Sequence, residues 1–149
     1  MDDLAALVAS EAIKQVKARY FYGLDHKDWD LWRRAVWAAD GELHVPEHRP
    51  EPYKGIETII AWVSASTADQ VSVHHGHMPI IDFDGPDAAQ VIWAMEDRLY
   101  RTREHPLADG ANFLHGFGHY RERYEKRAEG WRLVQSQLTR LRVEMRREF

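Results

Sequence analysis

The sequence predicts a single domain of the α+β class, with three helices in the first half of the chain and an antiparallel sheet in the second. In the first half, apolar side chains recur mostly every three or four residues, which is typical of helices with one buried face. From Gln70 onward the period changes to two, which is typical of β-strands. Helices followed by strands, joined by short turns, favour helices packed on one face of a curved sheet.

The first helix is predicted to end near Gly23, because glycine readily adopts the left-handed conformation that closes many helices. Asp28 is the expected N-cap of a short second helix that continues to Trp37. Asp40 and Gly41 indicate a turn before a short strand over 42–45, and a third helix is expected from Ile56 to about residue 66. The apolar side chains that define the buried face of the first helix are Leu4, Leu7, Val8, Ile13, Val16, Tyr20 and Leu24.

Turn residues divide the second half of the chain into four long runs. The breaks fall at residues 84–87, 105–110 and 129–130, and each contains glycine or proline. They leave predicted strands over 70–83, 88–103, 112–127 and 131–145. Because no internal repeat, low-complexity tract or linker interrupts the pattern, we expect residues 1–149 to form one domain.

Composition excludes several classes of function. A chain of 149 residues can bury a sizeable core, and the absence of cysteine excludes disulfides, thiolate metal sites and a cysteine nucleophile. A net charge of −4 and a pI near 6.1 argue against general binding to nucleic acid or to an anionic membrane. The acidic, amphipathic start is unlike a secretory signal, and no apolar run is long enough to span a bilayer, so a cytoplasmic location is expected.

Several motifs occur together in an order that resembles a known superfamily. They are the run Arg19-Tyr20-Phe21-Tyr22-Gly23-Leu24-Asp25 with Asp28-Trp29 and Trp32, the run His74-His75-Gly76-His77-Met78-Pro79, and the closing hairpin Tyr120 to Arg132. The chain resembles SnoaL-like and scytalone dehydratase-like members of the nuclear transport factor 2 superfamily over nearly its whole length. This resemblance implies a cone-shaped α+β barrel with a cavity for a small organic molecule. The superfamily includes dehydratases, a dehydrochlorinase, isomerases, polyketide cyclases and proteins without catalysis, so the fold alone does not choose among them.

The resemblance implies a catalytic pair. In the dehydratase and dehydrochlorinase branches an aspartate after the first helix pairs with a strand histidine that acts as base, and Asp25 and His74 occupy those places. Tyr20 precedes Asp25 by five residues, as in the bile-acid dehydratase branch, and is expected to assist a departing oxygen or to hold a carbonyl. Such a tyrosine is also common in a helix core, and such an aspartate can simply cap the following turn. A shift of one residue in the strand would replace His74 by His75.

Further side chains are expected to contact the substrate. His115 and His119 lie four residues apart on one predicted strand and could supply a second histidine to the cavity. The other expected substrate-binding residues are His75, Tyr22, Phe113 and Trp32. The chain departs from the dehydrochlorinase branch, since Tyr20 replaces its lysine and the arginine of its last strand has no secure counterpart near Ser136.

No metal and no cofactor are predicted. Neighbouring histidines at 74 and 75 point to opposite faces of a strand, which disfavours shared coordination even with His115 or His119 recruited. We therefore expect a cofactor-free lyase, acting by dehydratase-type elimination on a small cyclic or aromatic hydroxylated compound. The alternatives are an isomerase or polyketide cyclase of the same fold, and a non-catalytic ligand-binding or dimerisation module.

Self-association is also expected. Superfamily members commonly pack their open sheet against another copy, and the run 91–95 is apolar on both faces, more than a strand with one solvated face requires. The sequence therefore predicts a homodimer or homotrimer formed through the open face of the sheet.

Overall fold

The computed structural model describes residues 1–147, which form three α-helices and a six-stranded mixed sheet. The elements are α1 (Asp3–His26), α2 (Trp29–Ala35), β1 (Trp37–His44), β2 (Tyr53–Lys54), α3 (Ile56–Thr67), β3 (Gln70–Phe83), β4 (Ala88–Arg101), β5 (Phe113–Arg127) and β6 (Gly130–Arg146), with a short 3₁₀ turn at Ala108–Gly110. The strand order is β2-β1-β6-β5-β4-β3, and only the β1–β6 pair is parallel. The sheet is not closed into a barrel, because β2 and β3 each form an outer strand.

The predicted α+β class and the four long strands are confirmed. The structure adds the two-residue strand β2, which is too short to show a pattern in the sequence. The core lies between the helices and one face of the sheet, and its most buried members include Ile13, Trp32, Ile59 and Leu133. No helix within residues 1–147 has the length and apolar character needed to cross a membrane.

Helix α1 ends later than the sequence predicts. Lys27 closes it in the left-handed conformation, with φ 57°, and its backbone N–H bonds to the carbonyls of Gly23 and Leu24. The prediction that Gly23 ends the helix is therefore wrong. Gly23 is needed for another reason, because a Cβ there would lie 2.6 Å from Cδ1 of Trp32 on α2.

The buried face of α1 is shorter than predicted. Leu4, Leu7 and Val8 are 71%, 69% and 63% exposed, and burial begins at Ala9. The first two turns of the helix therefore extend beyond the core, although their apolar spacing continues the pattern of the buried part.

Strand β1 begins before the predicted turn. Asp40 and Gly41 lie within the strand, where the register with β6 shifts between Trp37 and Glu42. A Cβ at Gly41 would lie 2.6 Å from Cε3 of Trp37, so the glycine makes room for the indole. The predicted turn at this position is wrong, because the glycine serves close packing in an irregular strand.

Candidate active site

A cavity of about 280 Å³ opens between the helices and the sheet. This volume is close to the lower end of the range typical for small-ligand sites. Most of its wall is apolar, and its polar lining includes the side chains of one histidine, two arginines and two tyrosines. The lining residues are Tyr20, Leu24, Leu43, Val45, Glu47, Trp62, Val63, Ser66, Thr67, Gln70, His74, Asp97, Leu99, Arg101, Leu107, Tyr120, Leu138 and Arg140.

His74 and Asp25 are joined by a short hydrogen bond. His74 lines the cavity from β3, and its Nδ1 lies 2.6 Å from Oδ1 of Asp25, in the last turn of α1. The side chains are 8% and 19% exposed. The oxygens of Asp25 also accept from the hydroxyl of Ser72 at 2.9 Å and from the backbone N–H of His74 at 3.0 Å. All of these donors lie on β3, so the carboxylate binds the sheet and does not cap a helix.

These contacts keep Asp25 ionised. Burial acts to raise the pKa of Asp25, but the hydrogen bonds from the His74 side chain, the His74 amide and Ser72, with the charge of His74, hold it below the ordinary value. An ionised carboxylate can only accept, so Nδ1 of His74 carries the proton in this bond. In the neutral imidazole, Nε2 then carries the lone pair that can take up a proton in the cavity.

Tyr20 lines the same cavity but cannot readily lose its proton. Its ring is 4% exposed and stacks on Trp32 with centroids 4.9 Å apart. Burial, and then the negative charge of Glu122, raise the pKa of Tyr20 far above its ordinary range, although a hydrogen bond with Tyr120 acts in the opposite direction. Tyr20 is thus suited to donate a hydrogen bond while it remains protonated.

A second charged pair faces the cavity. Arg140 on β6 makes two hydrogen bonds to Asp97 on β4, at 2.9 Å and 2.7 Å, and the side chains are 14% and 3% exposed. Burial acts to lower the pKa of Arg140, but the hydrogen bonds and charge of Asp97 outweigh it, so the guanidinium stays charged. Gly116 on β5 makes room for this pair, since a Cβ there would lie 2.0 Å from Nη1 of Arg140 and 2.2 Å from Oδ1 of Asp97.

Strand register brings the two pairs together. His74 and Asp97 are direct partners across the β3–β4 ladder. Side chains at directly paired positions share one face and stand about 5 Å apart at Cβ. The imidazole and the carboxylate–guanidinium pair therefore lie side by side in the cavity wall. Sequence reasoning missed Asp97 and Arg140, and the interior glycine at 116 was the available signal of a close approach.

The other predicted histidines lie outside the cavity lining. His75 and His77 are exposed on β3, and His77 lies 3.8 Å from Glu96. His115 lies on the opposite face of the sheet from Asp97, with Nε2 2.7 Å from Oε1 of Glu96, and its hydrogen bond holds the pKa of Glu96 below the ordinary value. His119 is half-buried on the same strand and the same face as His115. His75, His115 and His119, which the sequence predicts to contact the substrate, are not among the residues that line the cavity, because strand alternation turns them to the other face of the sheet.

The three predicted aromatic contacts also lie elsewhere. Trp32 is fully buried in the core, and its Nε1 donates to the carbonyl of Tyr20 at 3.0 Å. Tyr22 is 58% exposed and stacks on His26 along α1. Phe113 is buried against Tyr100, with ring centroids 5.1 Å apart. Their aromatic character reflects packing of helices and strands outside the cavity.

Within residues 1–147, no group of three or more histidine, aspartate or glutamate side chains is arranged to hold a metal ion. The ionisable and hydroxyl groups that line the cavity include the His74 imidazole held by Asp25, the Asp97–Arg140 pair and the hydroxyls of Tyr20 and Tyr120.

Three helices on an open mixed sheet, with a cavity between them, form a nuclear transport factor 2-like α+β fold. The chain belongs to the SnoaL-like domain family, which matches residues 5–137.

Several solved structures share this fold. The Kfla4162 protein of Kribbella flavida superposes with a TM-score of 0.84 at 22% identity, covering 93% of this chain and 95% of the other. The hexachlorocyclohexane dehydrochlorinase LinA-type3 of Novosphingobium barchaimii gives 0.82 at 19% identity, covering 99% and 97%. A protein assigned as a scytalone dehydratase in Novosphingobium aromaticivorans gives 0.79 at 20% identity, covering 97% and 92%. At these identities the likeness shows the fold.

Proposed function

We propose that this protein is a cofactor-free lyase that eliminates water from a small cyclic or aromatic hydroxylated compound. The observation that supports this proposal most strongly is the 2.6 Å hydrogen bond between Asp25 and His74 beside a largely apolar cavity. The family and its structural neighbours include lyases, which favours the same class. What those neighbours act on is not carried over to this chain.

His74 acts as the base. Nε2 takes a proton from a carbon next to the carbon that bears the hydroxyl, and Asp25 stabilises the imidazolium through Nδ1–H. The electron pair of the broken C–H bond forms the C=C bond as the C–O bond breaks. The imidazolium returns the proton to the departing oxygen, so water leaves and His74 is neutral again. Because one residue both removes and returns the proton, no cofactor is needed.

Tyr20 and Arg140 stabilise oxygen atoms of the substrate. Tyr20 stays protonated and donates a hydrogen bond to the leaving oxygen, but it does not transfer its proton to that oxygen. Arg140 presents a partly buried cation that is already fixed by Asp97, so it can stabilise an oxygen that gains negative charge without reorganising. A carbonyl beside the acidic C–H would use this cation, and the substrate class therefore includes hydroxy ketones and related rings.

The same arrangement also favours a second function. A base beside a fixed cation can remove a proton and replace it elsewhere in an enolate, as an isomerase or cyclase requires. No water is lost in that case. The mass of the product separates the two reactions.

A panel of hydroxylated aromatic, alicyclic and steroid-like ketones tests the proposal. Each compound is incubated with the purified protein and with the His74→Gln variant, and products are identified by mass spectrometry. Loss of one water with the wild type alone supports the lyase. A product of unchanged mass supports the isomerase or cyclase. If compounds bind, as shown by a raised unfolding temperature, but none is converted, the protein is a binding module and the lyase proposal is wrong.

A further inference from the structure

The end of β4 places a second arginine in the cavity wall, away from the proposed base. Asp97, Leu99 and Arg101 alternate along β4, and all three line the cavity. Side chains at alternate positions share one face of a strand, and four residues of extended strand span about 13 Å. Since Asp97 lies beside His74 and holds Arg140, the two cavity arginines mark opposite ends of the lining, with Leu99 between them.

Arg101 is held in place by neutral oxygens. Its Nε donates to Oε1 of Gln70, its direct partner on β3, at 3.3 Å, and its Nη2 donates to the carbonyl of Ser66 at 2.5 Å. Within residues 1–147, Arg101 forms no ion pair, whereas Arg140 is paired with Asp97. The two bonds leave further N–H groups of the guanidinium available to a ligand, including those on Nη1. Arg101 is thus a fixed cation whose charge is not balanced by a neighbouring carboxylate.

A second cation reinforces the positive charge at this end of the cavity. Nζ of Lys27 donates to the backbone carbonyl of Gln70 at 2.8 Å, so Gln70 is contacted by an ammonium and by the guanidinium of Arg101. The nearest carboxylate in the sequence, that of Asp69, lies beside His105, with Oδ2 3.7 Å from Nδ1. Adjacent cations bound only to neutral oxygens create a positive local potential, which attracts an anionic group.

Carboxylates outnumber cations at the other end. Arg140 is shared by Asp97 and by Glu47, whose Oε2 lies 3.8 Å from its Nε. Asp25 adds a further negative charge behind the imidazole. A carboxylate of a ligand is therefore attracted to the end at Arg101, whereas a neutral hydroxyl or carbonyl can still accept a hydrogen bond from Arg140.

We propose that Arg101 binds a carboxylate of the substrate, which makes the substrate a hydroxylated carboxylic acid. The assignment of the reacting end at His74 rests on the proposed function, and the assignment of the carboxylate to Arg101 rests on the charges of the cavity wall. A guanidinium suits this ligand, because its planar N–H groups match the two oxygens of a carboxylate. The substrate then lies along Leu99, with its hydroxyl beside His74 and its carboxylate at Arg101.

Arg101 also has a structural contact, because its bond to Ser66 ties β4 to the last turn of α3. Arginine commonly satisfies carbonyls at the end of a helix in this way. That contact stabilises the fold whether or not a ligand is present, and it does not discriminate between charged and neutral ligands. A comparison of carboxylic acids with their neutral amides therefore separates the two roles.

Calorimetric binding of matched probes tests the proposal. The probes are hydroxyphenyl-alkanoic acids with two to six methylene groups and the corresponding primary amides, at neutral pH, where the acids are ionised. For the wild type, the best acid is expected to bind roughly tenfold or more tightly than its amide, as a charge-assisted hydrogen bond allows. Arg101→Gln should bind acid and amide with equal affinity, and its affinity for the amide should match that of the wild type. Arg101→Lys should retain part of the preference.

Arg98→Gln is the matched control, since Arg98 is a cation of the same strand on the opposite face, where it bonds to Glu96. It should retain the wild-type preference for the acid. Equal affinity of acid and amide for the wild type, no binding of either, or a preference that survives in Arg101→Gln would overturn the proposal. Because binding is measured without turnover, a protein that prefers the acid but converts no compound contradicts only the lyase, and a lyase without this preference contradicts only the role of Arg101.

Discussion

Asp25 illustrates how a single carboxylate can both stabilise the fold and prepare a catalytic base. It connects α1 to β3 through three hydrogen bonds, two of them from His74. The same bonds that fix the imidazole also tie the end of the helix to the sheet. Loss of Asp25 is therefore expected to affect stability and activity together, whereas loss of His74 affects mainly activity.

The stabilising effect of Asp25 should depend on pH. Its pKa in the folded protein lies below the ordinary value of 3.8, so the folded state favours the charged form. Its contribution to the free energy of unfolding is therefore complete above pH 3.8 and is lost as the pH falls through the lowered folded pKa. Urea unfolding of wild type and Asp25→Asn at several pH values measures it. The stability difference should shrink on acidification, and a constant difference would contradict this explanation.

Two glycines of β5 should respond differently to a methyl group. A Cβ at Gly118 would lie 2.0 Å from the backbone carbonyl oxygen of Thr139, which cannot move without disturbing the β5–β6 ladder. A Cβ at Gly116 would displace only the side-chain ends of Arg140 and Asp97. Gly118→Ala should therefore cost more stability than Gly116→Ala, with overpacking typically costing about 1 to 3 kcal/mol.

Thermal and urea unfolding of the two alanine variants check this order. Gly116→Ala should also weaken ligand binding, because it moves the cation of Arg140 in the cavity wall. A Gly116→Ala protein that is less stable than Gly118→Ala would show that the ion pair is rigidly held, against this expectation.

At the scale of elements, a buried ion pair links α1 to β5. Nζ of Lys17 lies 2.6 Å from Oε1 of Glu122, and the side chains are 1% and 0% exposed. Ser136 and Tyr124 also donate to Glu122. Burial lowers the pKa of Lys17 to about 8, against the raising effect of Glu122. The ammonium also lies 3.6 Å from the ring centroid of Tyr120, beneath the cavity.

A double-mutant cycle measures this pair. Lys17→Met or Glu122→Gln alone leaves a buried charge without its partner and should cost about 3 to 5 kcal/mol. The double variant should cost clearly less than the sum, because neither charge remains. Urea unfolding of the four proteins gives the coupling free energy. Additive losses would mean that the pair does not stabilise the contact between α1 and β5.

Helices and strands were predictable from the sequence where turn residues interrupt a clear periodicity of apolar side chains. Strands β3 to β6 match the sequence closely, because the breaks at 84–87 and 129–130 consist of turn residues. The end of α1 and the start of β1 were mistaken, since Gly23 and Gly41 serve close packing of Trp32 and Trp37. A glycine that makes room for a ring and a glycine that turns the chain look the same in a sequence.

At the scale of the whole molecule, the site was only partly predictable. The positions of Asp25, His74 and Tyr20 follow from resemblance and order, and the structure brings Asp25 and His74 into contact. Asp97 and Arg140 meet only after β4, β5 and β6 are placed in register. The face on which His115 and His119 lie also depends on registers that local pattern does not specify.

Association through the open sheet face stays a prediction. Val91, Trp93 and Met95 are buried in the core, and Ile92 and Ala94, which alternate with them, are only half-buried. Sedimentation of the wild type and of Ala94→Arg tests this surface, because a charged side chain at the half-buried position 94 should weaken association through it.

The most direct measurement of the proposed chemistry compares His74→Gln with His75→Gln on a compound that the wild type converts. Glutamine keeps a polar side chain but cannot take up the proton, so kcat/KM of the His74 variant should fall by roughly 10² to 10⁴ while its unfolding temperature changes little. His75→Gln, one residue away on the opposite face, should retain wild-type kcat/KM. Equal activity of the two variants would contradict the role of His74 as the base.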